Sequence, residues 1–289
     1  MRKGWAAAGG AAAGCETPAG KMKPASLKSF FQPKKAVVEK VVRETPDLRS
    51  LLIRPEGGFR FEPGQFAMVT AAEAGEAPFA PSSSPDETET VRITAKKTTD
   101  GIQAARAGDF VGIRGPYGKP FSFAPSIHTE MAFAVRGIGL AAARPFILRA
   151  LAMRESFHRM ALWTHPADAL PCAGDIPSWK TAIEVIHGES ATGSGRPTTC
   201  ADSLMRSGFR PERAAALLFC GREENRELAR ALSGAGFGPE SIFLWTETRM
   251  NCAVGHCRRC TLDHLFVCRE GPLIPLAALS GLRSFGALP

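Results

Sequence analysis

Four cysteines near the C-terminal end, Cys252, Cys257, Cys260 and Cys268, stand in a C-x4-C-x2-C-x7-C array within MNCAVGHCRRCTLDHLFVC. Three thiols within nine residues force the backbone to wrap one compact centre, and Cys268 closes the cage. The first three spacings are those of a plant-type [2Fe–2S] loop, where thiolates hold iron for single-electron chemistry. Gly255 inside the first spacer permits the positive φ such a wrap demands. Its neighbours Asn251, Ala253 and Val254 are small. A structural zinc site also takes four cysteines, but usually as two C-x2-C knuckles about a longer spacer. Only one C-x2-C exists in this array, and zinc stays the competing reading of the spacing. The other cysteines, Cys15, Cys172, Cys200 and Cys220, are scattered and form no disulfide framework.

The 289-residue chain has a formal net charge of +8, yet residues 1–40 hold eight Lys or Arg against two Glu, so the remainder is near neutral. Nucleic-acid binding needs a basic face on the folded body, and no such partner is expected. No stretch approaches the ~18 consecutive apolar residues of a membrane helix. The expectation is therefore a cytoplasmic protein without direct membrane insertion. Residues 1–35 are Ala/Gly-rich and then Lys/Pro-rich without apolar periodicity, which reads as a disordered basic tail.

Over residues 36–125, short apolar or alternating runs (AVVEKVV, LRSLLI, QFAMVTA, TVRITAKK, DFVGIRG) are punctuated by Gly and Pro. That pattern predicts an antiparallel β barrel. Residues 126–246 change character: MAFAV (131–135), MALW (160–163), AIEVI (182–186), AALLFC (215–220) and SIFLW (241–245) predict strands, with helices over 144–157 and 225–232 between them. Strands alternating with helical crossovers predict a doubly wound parallel sheet. Residues 247–289 form a small C-terminal segment around the cysteine loop.

In the second domain, Arg136-Gly137-Ile138-Gly139-Leu140 joins the first strand to a helix. Glycines at such a turn let backbone N–H groups and a helix N-terminus meet a dinucleotide phosphate. The full G-x-G-x-x-G is absent, and a purely structural turn reads as well from this segment. Cys220-Gly221 ends the fourth strand at the carboxyl edge of the sheet, where ligands gather; a buried strand cysteine is the plain alternative. In the barrel, RGPYG, with Gly115 and Tyr117, offers either a flavin-phosphate loop or a turn. Ser82, Ser83 and Ser84, between Pro81 and Pro85, offer hydroxyls to a cofactor or to water. Neither a Ser/His/Asp set nor a carboxylate pair suggests acid–base catalysis, and His256 and His264 read as neighbours of the cysteines rather than ligands.

The order of these pieces resembles the ferredoxin-reductase-type electron-transfer subunits of multi-subunit redox enzymes: the gamma subunit of hydrogenase/sulfhydrogenase and the corresponding subunits of anaerobic sulfite reductase and dihydroorotate dehydrogenase. The similarity runs from about Ala36 to the end and is densest in FEPGQF, GEAPFAPSSSP, RGPYGKPF, RGIGLAAARPFI and ETRMNCAVGHCRRC…VCREGPL. The resemblance implies an FAD-binding barrel, an NAD(P)H-binding α/β domain, a [2Fe–2S] loop and a partner subunit with the terminal catalytic site. Ala77, Pro78, Phe79 and Ala80 fall on the family's flavin motif, with Phe79 against the isoalloxazine. Lys96 and Gly101 fall at the FAD ribose and pyrophosphate. Gly137 and Gly139 would line the dinucleotide site, Cys220 and Gly221 would face the nicotinamide, and the four cysteines match position for position.

This chain departs from that pattern at several places. Ala80 replaces a Ser, Gln103 stands where a Thr is usual, Arg136 replaces the first Gly of GGIG, Ala142 replaces a Pro, and Arg222-Glu223-Glu224 replaces prolines after Cys220-Gly221. Most of these changes touch the dinucleotide side. The resemblance therefore allows an electron relay that no longer binds NAD(P)H, and a zinc-stabilised, non-enzymatic adaptor is the rival from a different class.

Overall fold

The computed structural model describes residues 31–71, 75–97, 102–124, 128–165, 168–188 and 200–283. Most of the basic tail, Cys15 and Gly101 lie outside these residues. The first six strands are β1 (Lys34–Arg43), β2 (Leu48–Pro55), β3 (Phe66–Ala71), β4 (Gly75–Phe79), β5 (Val91–Lys96) and β6 (Phe110–Tyr117). They form an antiparallel sheet in the order β4-β3-β6-β1-β2-β5. Its two edges meet where Pro81, just past β4, bridges to Ile93 of β5, so the sheet rolls into the expected barrel. Alternation drives the roll: Val38, Leu51, Ile53, Val69, Ile93 and Ile113 are buried inside it, while their neighbours in sequence face outward.

The second half is a six-stranded sheet in the order β14-β11-β10-β7-β8-β9, built from β7 (Glu130–Val135), β8 (Arg159–Thr164), β9 (Glu184–His187), β10 (Ala214–Phe219), β11 (Ile242–Trp245) and β14 (Leu273–Pro275). β7 to β11 run parallel. Every residue of β7 and of β10 is buried, as central strands covered on both faces require. Helices α1 (Gly139–Ala152), α2 (Ile176–Trp179), α3 (Cys200–Arg206) and α4 (Arg222–Gly234) make the crossovers.

Two sequence expectations need correction. The sheet is mixed rather than wholly parallel: after the cysteine loop the chain returns as β14 and pairs antiparallel with β11, Leu244 opposite Ile274. A segment expected to do no more than hold cysteines thus supplies a sheet edge. The first helix begins at Gly139 and runs through Pro145 to Ala152, whereas the sequence pattern predicted it over 144–157. The ring removes one intrahelical hydrogen bond, but Leu140, Phe146 and Ile147 bury the same face against the sheet, and that packing carries the helix across the gap. Among the described residues no helix is long and apolar enough to cross a membrane.

Partly buried polar contacts tie the halves together. Arg144 of α1 donates from Nη1 to the Ser82 carbonyl oxygen at 2.6 Å and from Nε to Asp175 at 2.6 Å. Glu44, just past β1, accepts the Cys172 N–H at 2.9 Å and pairs with Arg92 of β5. Phe121 packs edge-on against Phe243 of β11, with centroids 5.1 Å apart.

Candidate functional site

The cysteine loop leaves β11 at Trp245, passes Met250, and is turned back by the hairpin β12 (Thr261–Leu262) and β13 (Leu265–Phe266) into α5 (Val267–Glu270), which carries Cys268; past β14 lies α6 (Leu276–Leu279). Cys260 and Cys268 are buried, Cys252 is half-buried and Cys257 is exposed. The residue after each of the first two cysteines is left-handed, Ala253 at φ 62° and Arg258 at φ 58°, and Gly255 sits at φ 79°. These turns bring N–H groups onto sulfur. The Gly255 amide donates to Cys268 Sγ at 3.1 Å, and the amides of His256 and Cys257 donate to Cys252 Sγ at 3.2 Å. Amides aimed at sulfur stabilise thiolates. The Arg259 backbone N–H, with further help from Cys252, draws the Cys257 thiol down to about 7. Burial, then the adjoining Cys260, pushes Cys268 up to about 12.

Among the described residues, no three Cys, His, Asp or Glu side chains are drawn in to a single-ion arrangement. His256 and His264 are exposed. The four thiols and their amide donors suit a cluster whose negative charge is spread over several sulfurs.

Between barrel and sheet lies a cleft of about 260 Å³, lined by Pro78, Phe79 and Ala80 at the end of β4, Thr94 to Lys96 of β5, Ala141 and Ala142 of α1, and Trp245 to Thr248. Met250, two residues before Cys252, also faces it. The cleft therefore borders the cysteine loop. Among the described residues the buried Thr248 hydroxyl has no hydrogen-bond partner, in a wall otherwise rich in apolar and aromatic side chains. A flat aromatic ligand with a polar edge suits such a wall, and the residues present fit a flavin ring.

A second cavity of about 280 Å³ shares Lys96, Ile138, Trp245 and Glu247 with the first and adds Arg136, Gly137, Gly139, Asp168, Cys220 and Gly221. All four residues read from the glycine turn and the β10 edge thus meet here. Gly139 is required by packing, because a Cβ there would lie 1.7 Å from the Phe219 carbonyl oxygen. Gly137, at φ 48°, faces open space. Its N–H is already engaged, donating to Asp168 Oδ2 at 3.2 Å. Arg136 donates from Nε to the same oxygen at 2.6 Å and pairs through Nη1 with Glu224. Burial raises Glu224 above the usual carboxylate range even against Arg136. Burial likewise holds the Cys220 thiol well above its ordinary value.

Several sequence-derived residues lie elsewhere. Ala77 packs against the barrel core, so only the last three positions of the flavin motif reach the cleft. Ser82 is fully buried, its hydroxyl 3.2 Å from both the Arg92 carbonyl oxygen and Thr94 Oγ1, contacts that brace the barrel. In the RGPYG segment, Arg114 to Tyr117 form the end of β6. Gly115 lines a separate groove beside Gly57 and Gly58, and Tyr117 is buried with its ring 5.8 Å from Phe66. Sequence reasoning missed Asp168, Trp245 and Thr248 as cavity residues and Glu224 as the partner of Arg136, since their juxtaposition depends on segments that follow three different strands. Arg114 was quoted only as part of RGPYG, yet it reaches the cysteine loop itself.

Comparison with known proteins bears on both cavities. The family model for the iron-sulfur cluster binding domain of dihydroorotate dehydrogenase B matches residues 247–280. The chain is 25% identical to sulfhydrogenase 1 subunit gamma of Pyrococcus furiosus, covering 74% of this chain and 78% of that protein. It is 30% identical to a probable dihydroorotate dehydrogenase B (NAD(+)) electron transfer subunit of Methanopyrus kandleri, covering 82% and 87%. Among solved structures, NADH-dependent reduced ferredoxin-NADP oxidoreductase superposes with a TM-score of 0.66 at 18% identity over 83% of this chain and 88% of that one, a likeness of fold.

Proposed function

We propose, given that this chain belongs to the family of dihydroorotate dehydrogenase B electron transfer subunits, that it is the electron-transfer subunit of a multi-subunit, cytoplasmic oxidoreductase. It passes electrons between NAD(P)H, FAD and a [2Fe–2S] cluster and on to a partner subunit that holds the terminal catalytic site. The observation that carries this reading is the amide-to-sulfur pattern of the cysteine loop beside an aromatic cleft. When bound, flavin and cluster together split a two-electron hydride into single electrons.

The chain's own residues supply the geometry for that chemistry. Phe79, Ala80 and Trp245 give the flavin ring its apolar walls, Thr248 offers its free hydroxyl to the ring's polar edge, and Lys96 stands where the two cavities meet. Residues 36–125 would hold FAD, 126–246 the dinucleotide and 247–289 the cluster. Cys252, Cys257, Cys260 and Cys268 would be the iron ligands. Gly137, Gly139, Cys220 and Gly221 would line the nicotinamide side, where burial keeps Cys220 a neutral thiol. Purification without oxygen, followed by iron, sulfide and flavin determination and electron paramagnetic resonance after dithionite, tests the proposal. Two irons and one FAD per chain are expected; a colourless protein containing zinc overturns it.

One observation favours a second reading on the dinucleotide side alone. The Gly137 amide and the Arg136 guanidinium, the groups that would meet a phosphate, are both taken by carboxylates. In that reading the α/β half is a relay scaffold and electrons enter from another subunit. Titration with NADH and NADPH separates the two.

A further inference from the structure

Arg114, in β6 of the barrel, is 6% exposed, and each of its five guanidinium donors has a partner. Nε donates to Glu76 Oε1 at 2.6 Å, and Nη2 donates to Glu76 Oε2. Nη1 donates to the Tyr117 hydroxyl at 3.2 Å. The remaining two N–H groups cross to the cysteine loop, reaching the carbonyl oxygens of Cys252 at 3.1 Å and Asn251 at 2.6 Å. The guanidinium therefore grips the peptide that carries the first cysteine. Tyr117 in turn packs on Phe66, which lines the cleft.

The ion pair has a direction. Glu76 lies on the barrel side, held there by the Thr70 hydroxyl at 3.3 Å, and the cationic edge of Arg114 is turned toward Cys252. Charge displaced this way presents a positive end to the cage. Reduction of a cluster adds one negative charge, and a buried positive end favours the form that has gained it. The carbonyls of Asn251 and Cys252 would otherwise present their negative ends in that region; hydrogen bonding to Arg114 offsets them.

We propose that Arg114 is the positioning residue of the iron–sulfur centre: it fixes Cys252 against the flavin cleft and, oriented by Glu76, raises the potential at which the centre accepts an electron from reduced flavin. The proposal rests on the reading that the four cysteines cage a [2Fe–2S] cluster. It predicts opposite signs for two neighbouring substitutions, which a merely structural role would not produce. Arg114→Gln removes the positive end and should lower the potential, shifting the flavin-to-cluster electron equilibrium about tenfold toward the flavin, about 59 mV for a one-electron couple. Glu76→Gln removes the compensating charge and should shift the same equilibrium toward the cluster by a comparable factor.

Anaerobic redox titration of the full chain, monitored by visible absorbance and paramagnetic resonance, provides the measurement, with iron and flavin content as loading controls. Opposed shifts at unchanged iron content support the proposal. Unchanged potentials, or shifts of the same sign, overturn it. If Arg114→Gln fails to hold iron, Glu76→Gln decides alone: a higher potential supports the proposal, and an equal or lower one ends it. Unsubstituted protein without iron would instead overturn the cluster reading itself, a result distinguishable from all of these.

Discussion

The cysteine loop and the glycine turn both use left-handed backbone to aim N–H groups at a point where negative charge could sit, but they differ in what waits there. In the loop, the amides of Gly255, His256 and Cys257 end on cysteine sulfur, the group a metal would bind. At the turn, the Gly137 amide ends on Asp168, and the neighbouring Arg136 spans Asp168 and Glu224. One region is organised around ligands that remain its own. The other satisfies itself with carboxylates that an incoming phosphate must displace. Backbone geometry alone therefore does not make an anion site; the side chains that arrive with it decide whether the donors are available.

The largest expected effect lies on the cysteine side. Replacing Cys260, buried in the loop, with Ser should abolish the cluster, read as loss of iron, of visible iron–sulfur absorbance and of the dithionite-dependent paramagnetic signal, with the flavin retained. If iron persisted, the cage would be drawn on the wrong residue. Next comes the turn's own packing. Gly139→Ala places a methyl group 1.7 Å from the Phe219 carbonyl oxygen, which the backbone of β10 cannot avoid, and should cost about 4 kcal/mol in chemical denaturation. A near-neutral result would mean the turn is not pressed against that strand.

A smaller effect addresses the comparison directly. Asp168→Ala should free the Gly137 amide and loosen Arg136, tightening NADH or NADPH binding about tenfold by calorimetry or fluorescence, within the usual range of coupling between competing contacts. No change would show that the carboxylate does not guard the turn. The smallest effect compares two glycines with left-handed φ. Gly137→Ala, facing open space, should cost about 1 kcal/mol from backbone strain alone. Gly255→Ala adds a contact of 2.5 Å with the Arg269 Cδ atom; that flexible side chain can move aside, so a similar loss in thermal unfolding is expected and iron content should hold.

How much of this was visible in the sequence follows the same division. The cysteine spacing is local, and three of the four thiols lie within nine residues, so the loop could be read directly. Strand periodicity likewise marked the barrel and five parallel strands. What could not be read depends on distance along the chain. Leu273 to Pro275 shows no alternation long enough to mark a strand, and its pairing with β11 exists because the loop's ends come together. Asp168 lies 32 residues from Arg136, and Glu224 lies 88 away; the departures from GGIG and the prolines suggested a changed turn, but not that the new residues would meet. Arg114 was hidden in a segment whose glycines and proline also suit an ordinary turn, and its partners Asn251 and Cys252 are contacted through backbone carbonyls, which leave no mark in side-chain identity.

The pairing of β14 with β11 carries a consequence for how the cysteine excursion is held. Since the strand entering the cysteine excursion and the strand leaving it are hydrogen-bonded neighbours, the base of the excursion is sewn shut by the sheet itself. Both ends of the excursion are thus anchored by backbone pairing that does not involve the cysteines.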